Sequence, residues 1–245
     1  MRYPAAAVLL LLAAAPAGAG ECPAIAGGDP ALAEIDAEAR LGFIRDRLAR
    51  EAGRAKTWSE AWTLGWGLLT GGQLALVPIL DDRGTQIDLL VGAGSSAIGL
   101  AGQLILPLSV IGDQQRLEGS LQKSPAGPDR CELLRQAEEM FIQDAENEAE
   151  GRGWLMHGAN VLINVGAMLI LGLGFDRWES GAINAAAGLA IGELMIFTQP
   201  AALEDDLERY RKADLPPPGE PRARRWILAP LLSQNNLGMA LTVSF

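Results

Sequence analysis

Histidine occurs once in this 245-residue chain, cysteine twice, and aromatic residues make up only 5% of it. One imidazole and two thiols are too few for an ordinary zinc site, which draws on several of both. His157 would be the sole base for nucleophilic hydrolysis, and no nucleophile-elbow motif accompanies it. Gly92-Ala93-Gly94 lacks the next glycine of a dinucleotide fingerprint and lies inside an apolar run. Positive charge is also short, with 20 Lys and Arg against 30 Asp and Glu and a formal net charge of -10. That balance argues against a nucleic-acid surface, which needs clustered cations. The sequence therefore predicts no enzyme activity, no metal, no cofactor and no nucleic-acid partner.

Apolar residues, by contrast, reach 49%, with 29 glycines. Such a composition fills space by letting backbones approach closely, a common strategy of membrane helices. Arg2, the apolar run 5–15 and Ala17-Gly18-Ala19 read as a secretory leader, residues 1–19. Glu21 precedes Cys22 where a lipoprotein signal needs a small residue, which leaves Cys22 free to pair. Export would place Cys22 and Cys131 in an oxidising compartment and predicts one disulfide between them.

The chain reads as one plan used twice: a cysteine, a charged amphipathic helix, then two Gly-rich apolar segments joined by a loop containing Asp-Arg. The first copy spans residues 20–112 and includes Asp82-Arg83; the second spans 131–213 and includes Asp176-Arg177. Leu32, Ile35 and Ala39, then Leu41, Ile44 and Leu48, give helical spacing over 31–56. The second half of that helix is basic. Its counterpart over 131–150 sets Leu134, Ala137, Phe141 and Ala145 on one face and is strongly acidic elsewhere. Opposite charge predicts that the two helices lie side by side. Four apolar segments follow in pairs, 62–80, 89–112, 154–175 and 181–198, each of roughly 18 to 24 residues and so long enough to cross about 30 Å of hydrocarbon. A linker is expected over 113–130 and a proline-rich one over 214–225. Residues 226–245 read as a hairpin, with alternation through Met239, Leu241, Val243 and Phe245. The expected fold is all-α: a duplicated (2+2) transmembrane four-helix bundle with amphipathic extramembrane helices and a short C-terminal β-hairpin, its repeats parallel.

Chemistry within the apolar segments is confined to a few groups. His157, Asn160 and Asn164 share a helical face, Glu193 lies in the fourth segment, and Gln103 aligns with Glu193 in the duplication. Polar groups at membrane depth face one another or water, so these five form a candidate intramembrane polar network. It would either hold helices in register or line a path in a small channel or transporter subunit. A soluble lipid-binding helical protein is the third reading. The first reading is a structural or scaffolding protein of the bacterial envelope, in the inner membrane before the outer. Its partners would be membrane lipid and either further copies of itself or another envelope protein. One pattern conflicts with this topology: both Asp-Arg loops are net acidic, while the flank before the first segment is basic and external, inverting the positive-inside rule.

Overall fold

The computed structural model describes residues 22–123, 130–216, 225–233 and 236–244. The expected leader and most of the proline-rich linker lie outside the described residues. The body of the chain is helical. A 3-10 turn at Pro30–Glu34 leads into α1 (Ala37–Leu76), α2 (Arg83–Ile105), α3 (Ser109–Lys123), α4 (Arg130–Gly151), α5 (Trp154–Phe175), α6 (Trp178–Thr198) and α7 (Leu203–Arg211). In the tail, β1 (Arg225–Ser233) and β2 (Asn236–Ser244) pair antiparallel.

Local chemistry sets the boundaries. Asp36 caps α1 by accepting from the Glu38 and Ala39 amides, and Asp82 caps α2 through the Thr85 amide at 2.7 Å. Because Asp36 starts the helix, the charged stretch expected from residue 31 begins several residues later. It then runs without a break into the first apolar segment, making one helix of 40 residues, about 60 Å long at 1.5 Å per residue. The second apolar segment stops at Ile105 because Pro107 cannot continue the helix. A further helix, α3, then occupies much of the stretch read as a linker. Among the described residues, three stretches are long and apolar enough to cross a membrane, Arg83–Lys123, Arg130–Phe175 and Trp178–Arg211. Charges confine their apolar parts to α2, α5 and α6. The fourth expected segment, the second half of α1, is not among them, diluted by Gln73, Thr63, Thr70 and four glycines.

The helices sort into two halves. The first half of α1 packs with α3, α4 and α7, while the second half pairs with α2, and α5 pairs with α6. The first set encloses the core: Leu41, Ile44, Leu48, Leu117, Leu134, Phe141, Leu203 and Tyr210 are almost fully buried there. Phe43, Phe141 and Tyr210 meet at ring separations of 5.7 to 6.4 Å. Cys22 and Cys131 are joined at a Cα separation of 5.3 Å, tying the start of the chain to α4 across 109 residues. In the chain-entropy account a loop of this size is worth roughly 4 to 5 kcal/mol.

Charge organises this head. As expected, α1 lies side by side with the acidic α4, and the ion pairs between them include Arg40 with Glu138 and Glu38 with Arg130. Arg40, fully buried, donates to the Tyr210 hydroxyl at 3.0 Å, to the Cys22 and Pro23 carbonyls at 2.9 and 3.0 Å, and to Glu138. Tyr210 in turn donates to Glu138. Arg45 pairs with Glu118 of α3, Arg130 with Glu38, and Arg47 approaches Asp206 of α7 at 3.7 Å. A buried ion pair gives little net stability over an apolar substitute, but orphaning one partner is costly. Arg40→Met should therefore destabilise the head by about 3 to 5 kcal/mol, and Arg40→Met combined with Glu138→Leu should recover most of that loss. Thermal unfolding of the detergent-solubilised full chain reads both; equal melting temperatures for Arg40→Met and wild type would deny the hub its role.

Candidate functional site

The two apolar pairs, α1 with α2 and α5 with α6, enclose a cleft of about 780 Å³. Its walls are mainly Leu, Ile, Met, Ala and Gly, and amides interrupt them: Gln73 from α1, Gln103 from α2, Asn160 and Asn164 from α5, Asn184 from α6, and Gln199 just past the end of α6. Ser109 and Asn147 belong to its head-side end.

Four of the five sequence candidates come together. His157 Nδ1 lies 2.6 Å from Glu193 Oε2, and Asn160 donates to Glu193 Oε1 at 3.0 Å and to the Leu189 carbonyl at 3.1 Å. Asn164 donates to the Asn160 carbonyl and side-chain oxygen, both at 2.9 Å. His157 also rests against the Phe197 ring, 5.5 Å between centroids. Gln103 stands apart from this group. Its amide donates to Met195 Sδ at 3.2 Å, a sulfur shared with the Trp66 indole, because residue 195 rather than 193 turns toward α2.

Glycine makes the network possible. A Cβ at Gly188 would collide with the Asn164 amide, one at Gly192 with Asn160, and one at Gly92 with Gln73. The Gly188 and Gly192 pair thus seats two amides rather than a facing backbone. True backbone approach occurs at Gly181, where a Cβ would stand 2.9 Å from the Met168 carbonyl. Gly99 and Gly172 receive the Trp66 and Trp178 rings, whereas Gly65, Gly67, Gly71, Gly94, Gly102 and Gly166 would meet nothing within 4 Å. Glycine density is therefore structural at some positions and idle at others.

At the end away from the head, Arg177 grips Asp88 of α2 with two bonds, 2.7 and 2.5 Å, and also reaches Ser180 at 3.1 Å. The second Asp-Arg loop is thereby clamped to the first hairpin.

Buried carboxylates in the head are the group that sequence reading missed. Glu51 and Glu148 converge on the start of α7, accepting from the Ala202 amide at 3.3 Å and the Leu203 amide at 2.9 Å. Asp144 accepts from Ser109 at 2.6 Å, and Asn147 donates to the same Ser109 at 2.9 Å, which links this carboxylate to the cleft. Burial pushes Asp144 up to about 7 and Glu148 up to about 8, with the neighbouring Asp113 and Glu51 charges adding to the effect. Their i, i+4 spacing in an acidic stretch was visible, but nothing in it marked them as buried rather than solvated.

Two outcomes follow from these contacts. Since the folded state holds protons that the unfolded chain releases near pH 4, stability should fall as pH rises from about 4 to 8 and then level off. Asp144→Asn and Glu148→Gln should flatten that slope in a melting-temperature series, and an unchanged slope in both variants contradicts the assignment. Gly188→Ala should destabilise by about 1 to 3 kcal/mol by displacing a buried amide, while Gly166→Ala should be neutral or stabilise by up to about 1 kcal/mol. Equal effects at the two positions would count against amide seating. Compared with known proteins, the chain matches no family model, no curated protein and no solved structure.

Proposed function

We propose that this chain is a non-enzymatic integral membrane protein of the bacterial envelope, a duplicated 2+2 helix bundle with a C-terminal hairpin that holds a rigid extramembrane head for structural or scaffolding contacts. One observation carries the membrane part of that reading. Over residues 22–123 and 130–216, every large apolar side chain that is strongly exposed belongs to the apolar half, from Leu64 to Phe197, and the head exposes none. Leu68, Leu106, Leu162, Leu173 and Ile183 are each 64 to 74% exposed, and a surface of this extent has water as a poor solvent and hydrocarbon as a good one.

The Cys22–Cys131 bond supports placement of the head in an oxidising compartment. The charge conflict eases once pairing is counted. Arg40, Arg45, Arg47 and Arg54 of the basic flank all meet carboxylates within the head, and at the far loops Asp82 caps a helix while Asp88 is neutralised by Arg177. These groups serve the fold, which weakens their weight as topology signals. The pairing of His157 and Asn160 with Glu193 favours helix register over a conducting path, since the groups satisfy one another.

Alkaline carbonate extraction and vesicle flotation test the reading directly. The full chain should stay in the carbonate-resistant pellet and float with phosphatidylcholine vesicles. Recovery in the carbonate supernatant as a monomer would overturn it.

A further inference from the structure

The cleft between the two hairpins has an unsatisfied polar group at one end and an apolar opening along its side. Gln199, 8% exposed, lines it at the head-side end, packed over Gly151. Its side-chain nitrogen is buried and meets no hydrogen-bond acceptor among the described residues. A buried donor without a partner costs about 1 to 3 kcal/mol, and turning this amide from Gly151 into the cleft would give it an acceptor oxygen. Along the cleft, Ile98, Leu106, Leu155 and Ile183 line the walls and are also 53 to 74% exposed. The cavity therefore opens sideways through apolar side chains, onto the surface that the membrane reading above gives to acyl chains.

Charge narrows the ligand class. Among the described residues, Glu150 is the sole ionisable one in the lining, and no Lys or Arg joins it. A phosphate headgroup would meet no cation and one carboxylate, whereas an uncharged head rich in ester and hydroxyl oxygens suits an amide lining. The volume of about 780 Å³ falls within the roughly 300 to 1,000 Å³ of sites that hold one small ligand. We infer that this cleft binds one uncharged acyl glyceride from the membrane, with an oxygen of its head accepting from Gln199 and its chain lying between α2, α5 and α6. The inference rests on the membrane reading and adds to it a ligand, an entry side and an anchoring residue.

The test uses the full chain reconstituted in phosphatidylcholine vesicles with a monoacylglycerol carrying a photoreactive diazirine on its tail. Vesicle flotation is measured on the same samples. Gly102→Leu is the blocking variant, because Gly102 lines the cleft and a Cβ there meets nothing within 4 Å. Gln199→Leu removes the anchoring donor. Cross-links should map to cleft-lining positions of α2, α5 and α6, fall by about tenfold in Gly102→Leu, and fall by about fivefold in Gln199→Leu, the scale of one lost hydrogen bond. Unlabelled monoolein should compete, and phosphatidylglycerol should not. Adducts spread over outward positions such as Leu162 and Leu173, unchanged labelling in both variants, or equal competition by phosphatidylglycerol would each overturn the site. Absent labelling with flotation retained counts against the site alone. Loss of flotation overturns the membrane reading and, with it, the inference built on it.

Discussion

The four apolar helices carry more large side chains than they can bury against one another. Their seams are built from glycine, alanine and amides, with glycines seating a neighbour's amide or indole and, at Gly181, its backbone, while many Leu, Ile and Phe side chains face outward. In water that arrangement would forfeit the burial that stabilises ordinary helical cores. In hydrocarbon it loses nothing, because apolar contact with lipid equals apolar contact with protein, and association rests on close packing and interhelical hydrogen bonds. Asn160 and Asn164 seated over Gly192 and Gly188 are such a device: an amide that could not face lipid finds a partner, and the glycine supplies its space.

The head obeys the opposite rule. Its large side chains point inward, its buried arginines meet carboxylates, and aromatic rings close around the Arg40 and Glu138 hub beside the disulfide. A single continuous helix, α1, passes from one regime to the other. The part of the chain before α4 and the part from α4 onward are tied at both ends, by the Cys22–Cys131 bond within the head and by Arg177 on Asp88 at the distal loops. Between these ties lie the cleft and the Ser109, Asn147 and Asp144 chain that runs from its roof into the head.

Periodicity and charge made much of this legible. The charged helices and the shared face of His157, Asn160 and Asn164 follow from i, i+3 and i+4 spacing, the side-by-side placement from opposite charge, and the cysteine pairing from there being two cysteines in an expected exported chain. What failed to show was tertiary. Gln103 aligns with Glu193 by sequence, yet helix rotation turns Met195 toward it instead. Helix α3 was hidden because its first turn reads as the end of the apolar segment 89–112, across Pro107, and the remainder as linker. Gln199 lies past the last apolar residue, where an amide reads as solvated loop, and its burial depends on Gly151 of a helix almost fifty residues earlier. The buried Glu51, Asp144 and Glu148 carboxylates are inseparable by sequence from the exposed acids around them.

In the proposed arrangement α2, α5 and α6 cross the hydrocarbon, and the second half of α1 packs along α2 to complete the first pair. Asp81, in the loop between α1 and α2, and Glu204, at the start of α7, are both exposed and lie at opposite ends of the bundle. Single cysteines at these positions, probed with a membrane-impermeant maleimide in sealed vesicles of one orientation, measure that crossing most directly. Reaction of Glu204→Cys from one face and of Asp81→Cys only from the other is the result expected. Reaction of both from the same face of intact vesicles would contradict it.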